Sequence, residues 1–291
     1  MEVTLLGTGD TTGTPTVGCD CAVCERARDP DDALREQLRE RGVEVGDRGV
    51  ERTRFSVHVR NERTDETLLI DASPDFRTQF LRENLAVPDA AVISHVHFDH
   101  LDGLGNLYRL TRDMPVYAAG EVDPATGQSV AQSVRERYDY LDVIDVRPRE
   151  PCESFRVAGL DVTLVPVDHP PLACYGLVIE DPETGAKLSL SGDTSYEVPE
   201  ASRDALAGAD LLLADGILPA DRCDTHPAGG ANHIDGVPMT YGSKHMTIEG
   251  ATRFGEELDA GEVRIVHLSH YLPAETAFDA PLAVDGEQFV L

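Results

Sequence analysis

The chain of 291 residues predicts an α/β fold in which two sheets are sandwiched between helices. Three observations carry this. Ten short strand-like runs recur along the whole chain, five helix-like stretches fall among them, and some strand-like runs are apolar throughout instead of alternating. Successive side chains of a strand face opposite ways, so an alternating run has one solvated face and a continuous apolar run has none. No solenoid-length repeat interrupts the pattern. A hydrophobic content of 41% supports a substantial core, and one domain over 1–291 is expected.

In chain order, strands are expected at 3–6, 54–59, 67–71, 90–94, 115–117, 157–166, 175–179, 187–190, 210–214 and 263–268. The run 54–59 alternates, whereas Leu211-Leu212-Leu213 and Ile265-Val266 read as buried on both faces. Helices are expected at 74–84, 103–111, 130–140, 199–207 and 247–259. The last opens on Thr247, a residue suited to an N-cap, although Gly250 weakens the first turn. Residues 225–242, rich in Gly, Pro and His, read as a long irregular segment, and the stretch from about 220 to 245 is expected to lie over the active site.

Composition bounds the function. No apolar run approaches the roughly 20 residues of a membrane helix. The opening MEVTLLGTGD has no basic segment followed by an apolar one, so a cytoplasmic protein without a membrane partner is expected. The formal net charge is −28, and only Lys187 and Lys244 among 25 basic residues are lysine. Such a charge either repels acidic partners such as nucleic acid or reflects a halophilic surface, in which molar salt screens carboxylates within about 3 Å. Dispersed acidic residues and scarce lysine favour the halophilic reading. On that reading charge says little about substrate.

Three histidines and an aspartate crowd "ISHVHFDHLDG", residues 93–103, directly after an apolar run. On extended backbone His95 and His97 project to one side, and a turn or helix beginning next would point Asp99 and His100 back toward a second ion. Further candidates close other strand-like runs: His169 in "LVPVDHPP", Asp193 in "LSLSGDTS", and His267 and His270 in "RIVHLSH". Together they suit a dinuclear site, with His95, His97 and His169 on one ion, Asp99, His100 and His267 on the other, and Asp193 bridging. Two cations about 3.5–4 Å apart can share a hydroxide and neutralise charge building on a phosphoryl or carbonyl oxygen. Asp99 could also orient that hydroxide. Imidazole and carboxylate ligands suit Zn, Mn or Fe.

This combination resembles the metallo-β-lactamase-fold hydrolases, whose hallmark is His-x-His-x-Asp-His. The resemblance runs from Gly7 to His270 and implies a four-layer αβ/βα sandwich with a dinuclear site at the sheet edges.

Cys19, Cys21 and Cys24 form a separate cluster whose spacing favours a metal site over disulfides. Cys152, Cys174 and Cys223 are scattered and read as small buried residues. The stretch "GTGDTTGTPTVGCDCAVCERAR", residues 7–28, resembles the start of the phosphodiesterases acting on phosphoribosyl 1,2-cyclic phosphate in the carbon–phosphorus lyase pathway. That resemblance implies an N-terminal loop at about 7–28 that carries a structural zinc on Cys19, Cys21 and Cys24 with His270 as fourth ligand, a closed Cys₃His set of the standard structural kind. "SKHMTIEGA" resembles the segment in which that branch places an assisting histidine, which makes His245 the candidate for protonating the leaving oxygen or binding phosphate. His226 and His233 read as solvent-facing and His58 as packing.

The expected function is therefore a dinuclear metallo-phosphodiesterase, with two catalytic Zn or Mn ions, acting on a small cyclic phosphate ester. The resemblance also suggests a homodimer. Alternatives are a tRNA 3′-processing endonuclease or a pyrroloquinoline-quinone biosynthesis hydrolase of the same superfamily, and, in another class, a metal-binding interaction protein. The cysteine trio and the lack of a basic Gly/Pro-rich arm weigh against the endonuclease and against a nucleic-acid partner.

Overall fold

The computed structural model describes all 291 residues. A seven-stranded sheet takes strands from the N-terminal half and closes with the last one. Its members are β1 (Glu2–Gly7), β2 (Ser56–Arg60), β3 (Thr67–Ile70), β4 (Ala90–Ile93), β5 (Met114–Ala119), β6 (Ile144–Arg149) and β16 (Gln288–Val290), in the order β16-β1-β2-β3-β4-β5-β6. A six-stranded sheet holds β7 (Phe155–Val157), β8 (Leu160–Val167), β9 (Cys174–Glu180), β10 (Lys187–Leu190), β11 (Leu211–Asp215) and β15 (Glu262–Val266), in the order β15-β11-β10-β9-β8-β7.

The two sheets face each other. Leu211 and Leu213 join the core shared with Val3, Leu5, Val57 and Ile70, while Leu212 and Ala214 pack with Ala251 and Phe254 of the outer helix α7 (Ile248–Glu257). A strand covered on both faces has no polar position to alternate, which explains the apolar run. The remaining helices are α1 (Ala22–Arg28), α2 (Asp32–Glu40), α3 (Phe76–Arg82), α4 (Phe98–Leu101), α5 (Val130–Arg137) and α6 (Glu200–Leu206). Helices α3 and α5 pack against the first sheet, α6 and α7 against the second. This is the expected four-layer αβ/βα sandwich. No helix is long and apolar enough to cross a membrane.

Strands β3, β4, β5 and β6 are mutually parallel, as are β10, β11 and β15. The carboxyl ends of β3, β4, β8, β10, β11 and β15 lead to the candidate site residues. In open α/β sheets ligands bind outside such strand ends.

Several expectations need correction. The segment 225–242 is not irregular: β12 (Gly230–Ile234), β13 (Val237–Tyr241) and β14 (His245–Met246) form a small antiparallel sheet. Its hairpin turns at Asp235-Gly236, both with positive φ (52° and 81°), the conformation that two-residue hairpin loops favour. The run 157–166 is broken by Ala158 and Gly159 at positive φ, which makes β7 and β8 two strands of a hairpin. The helix expected at 103–111 is instead the short α4 followed by a 3₁₀ segment, Asp102–Leu107. Thr247 does cap α7, its hydroxyl accepting from the Gly250 N–H. Gly250 is needed there, because a Cβ would lie 2.1 Å from the Met239 carbonyl oxygen. Cys174 and Cys223 are buried, but Cys152 is exposed, in a turn at φ 62°. His58 is buried and meets Phe80 edge-on. His233 is exposed, whereas His226 is half-buried against Tyr241.

Candidate metal centre

Backbone geometry after β4 converts a linear motif into a three-dimensional one. His97 is extended and becomes the N-cap of α4, so Asp99 and His100 turn back within one helical turn. Nε2 of His95 lies 3.0 Å from Nδ1 of His97, and Nε2 of His169 lies 3.3 Å from that same Nδ1. Asp193 Oδ2 is 3.7 Å from His95 Nε2, 3.3 Å from His100 Nε2 and 3.2 Å from His267 Nε2. Asp99 Oδ2 sits 3.5 Å from both His100 Nε2 and His267 Nε2. Two ligand-type clusters thus meet at one carboxylate oxygen, and all the predicted residues of the dinuclear set are brought together.

The spacing has a physical meaning. Ligands held about 2.0–2.1 Å from a tetrahedral ion are separated from each other by about 3.3 Å. The buried polar atoms that find no hydrogen-bond partner include His100 Nε2, Asp193 Oδ2 and His267 Nε2. Such atoms are costly unless something else satisfies them. Divalent cations fit this donor set.

Further side chains fix which ring nitrogen faces inward. His100 Nδ1 donates to Asp71 Oδ2 at 2.7 Å, and His169 Nδ1 donates to the Lys244 carbonyl at 3.1 Å. Ser94 gives its hydroxyl proton to Asp71, at 2.7 Å, so it accepts from His95 Nδ1 at 3.0 Å. Each contact leaves Nε2 with a free lone pair, the arrangement that metal-ligating histidines need. Thr11 Oγ1 donates to Asp99 Oδ2 at 3.0 Å. Asp71 and His267 both hold positive φ, 54° and 60°, an uncommon conformation for such residues that aims their side chains inward.

Electrostatics divides the histidines. Burial keeps His95 well below its ordinary value and lowers His169 to about 3, so both stay neutral. Burial also disfavours charge on His100 and His267, but Asp193 outweighs it, helped by Asp71 at the first and by Asp99 and Asp215 at the second. His100 is raised, and His267 reaches about 9. Burial would raise the Asp99 and Asp193 carboxyls, yet the adjacent histidines hold both below the usual carboxylate range. A cation at the same nitrogens can replace those protons as the partner of the carboxylates.

His245 stands at the edge of this cluster. Its ring stacks on His267 (4.8 Å between centroids, 12° apart) and lies 5.0 Å from His169. Its Nδ1 is 3.0 Å from Asp215 Oδ2. Asp71 and Asp215 were not anticipated from the sequence, though both close apolar runs, "LLID" and "LLLAD", just as Asp193 follows "LSLSG".

The second cluster lies behind the first. Sγ of Cys19, Cys21 and Cys24 lie 3.3, 3.5 and 3.5 Å from His270 Nδ1. A tetrahedral zinc with bonds near 2.3 Å to sulfur and 2.0–2.1 Å to nitrogen separates these atoms by about 3.5 Å. Burial raises the Cys24 thiol to about 11. At Cys21 burial is outweighed by hydrogen bonds from the Cys24 backbone and His270, which bring the thiol to about 7. The segment linking the clusters is pinned to the chain start: the Leu268 N–H donates to the Thr8 carbonyl (3.0 Å), and the Asp10 N–H to the Leu268 carbonyl (3.1 Å).

A family model described as a Beta-lactamase superfamily domain matches residues 66–268. The octanoyltransferase of Porphyromonas gingivalis (strain ATCC BAA-308 / W83) is 30% identical over 287 residues, which cover 94% of this chain but only 47% of that protein; the chain spans about half the length of this curated relative. Among solved structures, a new diphosphatase from the PhnP family superposes with a TM-score of 0.72 at 28% identity, covering 99% of this chain and 96% of its own. Zn(2+)-bound PqqB from Methylobacterium extorquens superposes with a TM-score of 0.73 at 23% identity over the full length of both chains, a likeness of fold.

Proposed function

Since the chain belongs to the β-lactamase superfamily, we propose that it is a metal-dependent hydrolase of small phosphodiesters, with a cyclic sugar phosphate of the phosphoribosyl type as substrate. The observation that carries this reading is the meeting of two ligand clusters at Asp193 Oδ2, with a histidine–aspartate pair beside them. The likeness to a PhnP-family diphosphatase supports phosphorus over carbon as the reacting centre.

In this reading His95, His97, His169 and Asp193 hold one divalent cation, and Asp99, His100, His267 and Asp193 the other. Zn or Mn ions bound there would activate water and offset charge on a phosphoryl oxygen. The chain's own residues do the rest. Asp99, held by Thr11, orients the attacking water. His245 donates a proton from Nε2 to the departing oxygen, while Asp215 holds Nδ1. Cys19, Cys21, Cys24 and His270 carry a structural zinc that braces the His267 segment.

The test is a side-by-side assay of a cyclic phosphate ester, a chromogenic phosphodiester, a diphosphate and a precursor tRNA, in high salt and with defined metal content. Hydrolysis of the cyclic ester, abolished in Asp193→Ala with loss of metal, is expected. Failure to cleave any phosphodiester, or full activity in a folded Asp193→Ala protein, would refute the reading. Cleavage of precursor tRNA alone would shift it to the endonuclease.

A further inference from the structure

Lysine is so rare in this chain that each one can be followed. Lys187 gives its ammonium to the Ala207 carbonyl at 2.6 Å. Lys244 is held only through its backbone: its N–H donates to the Tyr241 carbonyl at 3.5 Å, and its carbonyl accepts from His169 Nδ1 at 3.1 Å. Its ammonium has no hydrogen-bond or ion-pair partner, in a protein with 53 acidic residues. The residue is half-buried. Its carbonyl touches a ring of the metal centre, and the next residue in the chain is the His245 that pairs with Asp215.

Lys244 is thus a positive charge at the rim of the site without a counter-ion in the protein. A free ammonium on a flexible stem is unfavourable beside cations unless an anion lies between them. Lys244 lies in the turn between β13 and β14, beside the site.

We propose that Lys244 is a substrate-binding residue that takes a phosphoryl oxygen, and so selects anionic over neutral esters. This rests on the phosphodiester reading above. The oxygen can belong to the scissile diester or to a second phosphate on the same substrate, and the two sources are separable by experiment.

The test uses the metal-loaded protein and its Lys244→Gln and Lys244→Arg variants, with metal content checked in each. Inorganic phosphate should raise the melting temperature of the wild type. Lys244→Gln should need roughly tenfold more phosphate for the same shift, and Lys244→Arg should recover most of the difference. In turnover, Lys244→Gln should raise KM more than it lowers kcat. A rise on a plain chromogenic diester and on a cyclic ester with a second phosphate alike assigns the scissile group; a rise on the latter alone assigns the second phosphate. Unchanged phosphate binding in Lys244→Gln, or none in the wild type, overturns the inference even if phosphodiesters are cleaved. Phosphate binding that depends on Lys244 without any phosphodiester cleavage would uphold it and refute the proposed function.

Discussion

Asp215 Oδ2 lies 3.0 Å from His245 Nδ1, pairing the end of one buried strand with the start of a strand in the small sheet above it. Its other oxygen is 3.8 Å from His267 Nδ1, so one buried carboxylate faces both the proposed proton donor and a proposed ligand. Asp215→Asn keeps the shape and removes the charge. Turnover should fall about 10–100-fold, mostly in kcat, with both catalytic metals retained. Turnover within twofold of wild type at full metal content would show that Asp215 does not position His245.

His245→Ala should cost about 10²–10⁴-fold on a substrate whose leaving oxygen needs a proton, and little on a nitrophenyl ester, whose leaving group departs as the anion. Comparing the two substrates at constant metal content is the check. An equal loss on both would give His245 a binding role, and a lost metal would make it a ligand.

Cys21→Ser should lose one zinc, lower the melting temperature by several degrees, and reduce activity only as the His267 segment loosens. Elemental analysis and thermal melts measure this directly. A folded, fully active variant retaining every metal equivalent would show that the cysteine cluster holds none.

Acid sensitivity has a source outside the metal centre. Burial lowers His58 to about 4 from an ordinary 6.5. Between those values the unfolded chain takes up a proton that the folded one refuses. The stabilisation is therefore complete above pH 6.5 and is lost as pH falls through about 4, amounting to about 3 kcal/mol. His58→Leu should flatten the stability profile in that window. An unchanged slope in urea melts from pH 7 to 4 would assign the acid response to other groups.

Much of this was readable in the residues because the chemistry restricts both residue type and spacing. Two histidines one residue apart on extended chain must share a side, and a helix starting at Phe98 must return Asp99 and His100. Asp71 and Asp215 were harder to see, since each is a single carboxylate closing an apolar run, and only the fold shows which histidine it meets. The small sheet was missed because Gly230, Gly236, Pro238 and Gly242 break up its strand pattern, although Asp235-Gly236 is a strong hairpin signal. Helix α2 was also legible, through the Asp31 cap and the spacing of Leu34 and Leu38, and α1 closes the stretch expected as a zinc-binding loop. Strand β6 hides behind Pro148, a residue that sheets admit at an edge.

The pairing of residues 8–10 with Leu268, and of the cysteines with His270, also bears on how the protein is made. Contacts of such sequence separation form late and slowly. A nascent chain that has not yet released residues 267–270 from the ribosome lacks a member of each cluster. On the proposed function, the site therefore cannot be assembled until His267 and His270 have joined the strands made before them.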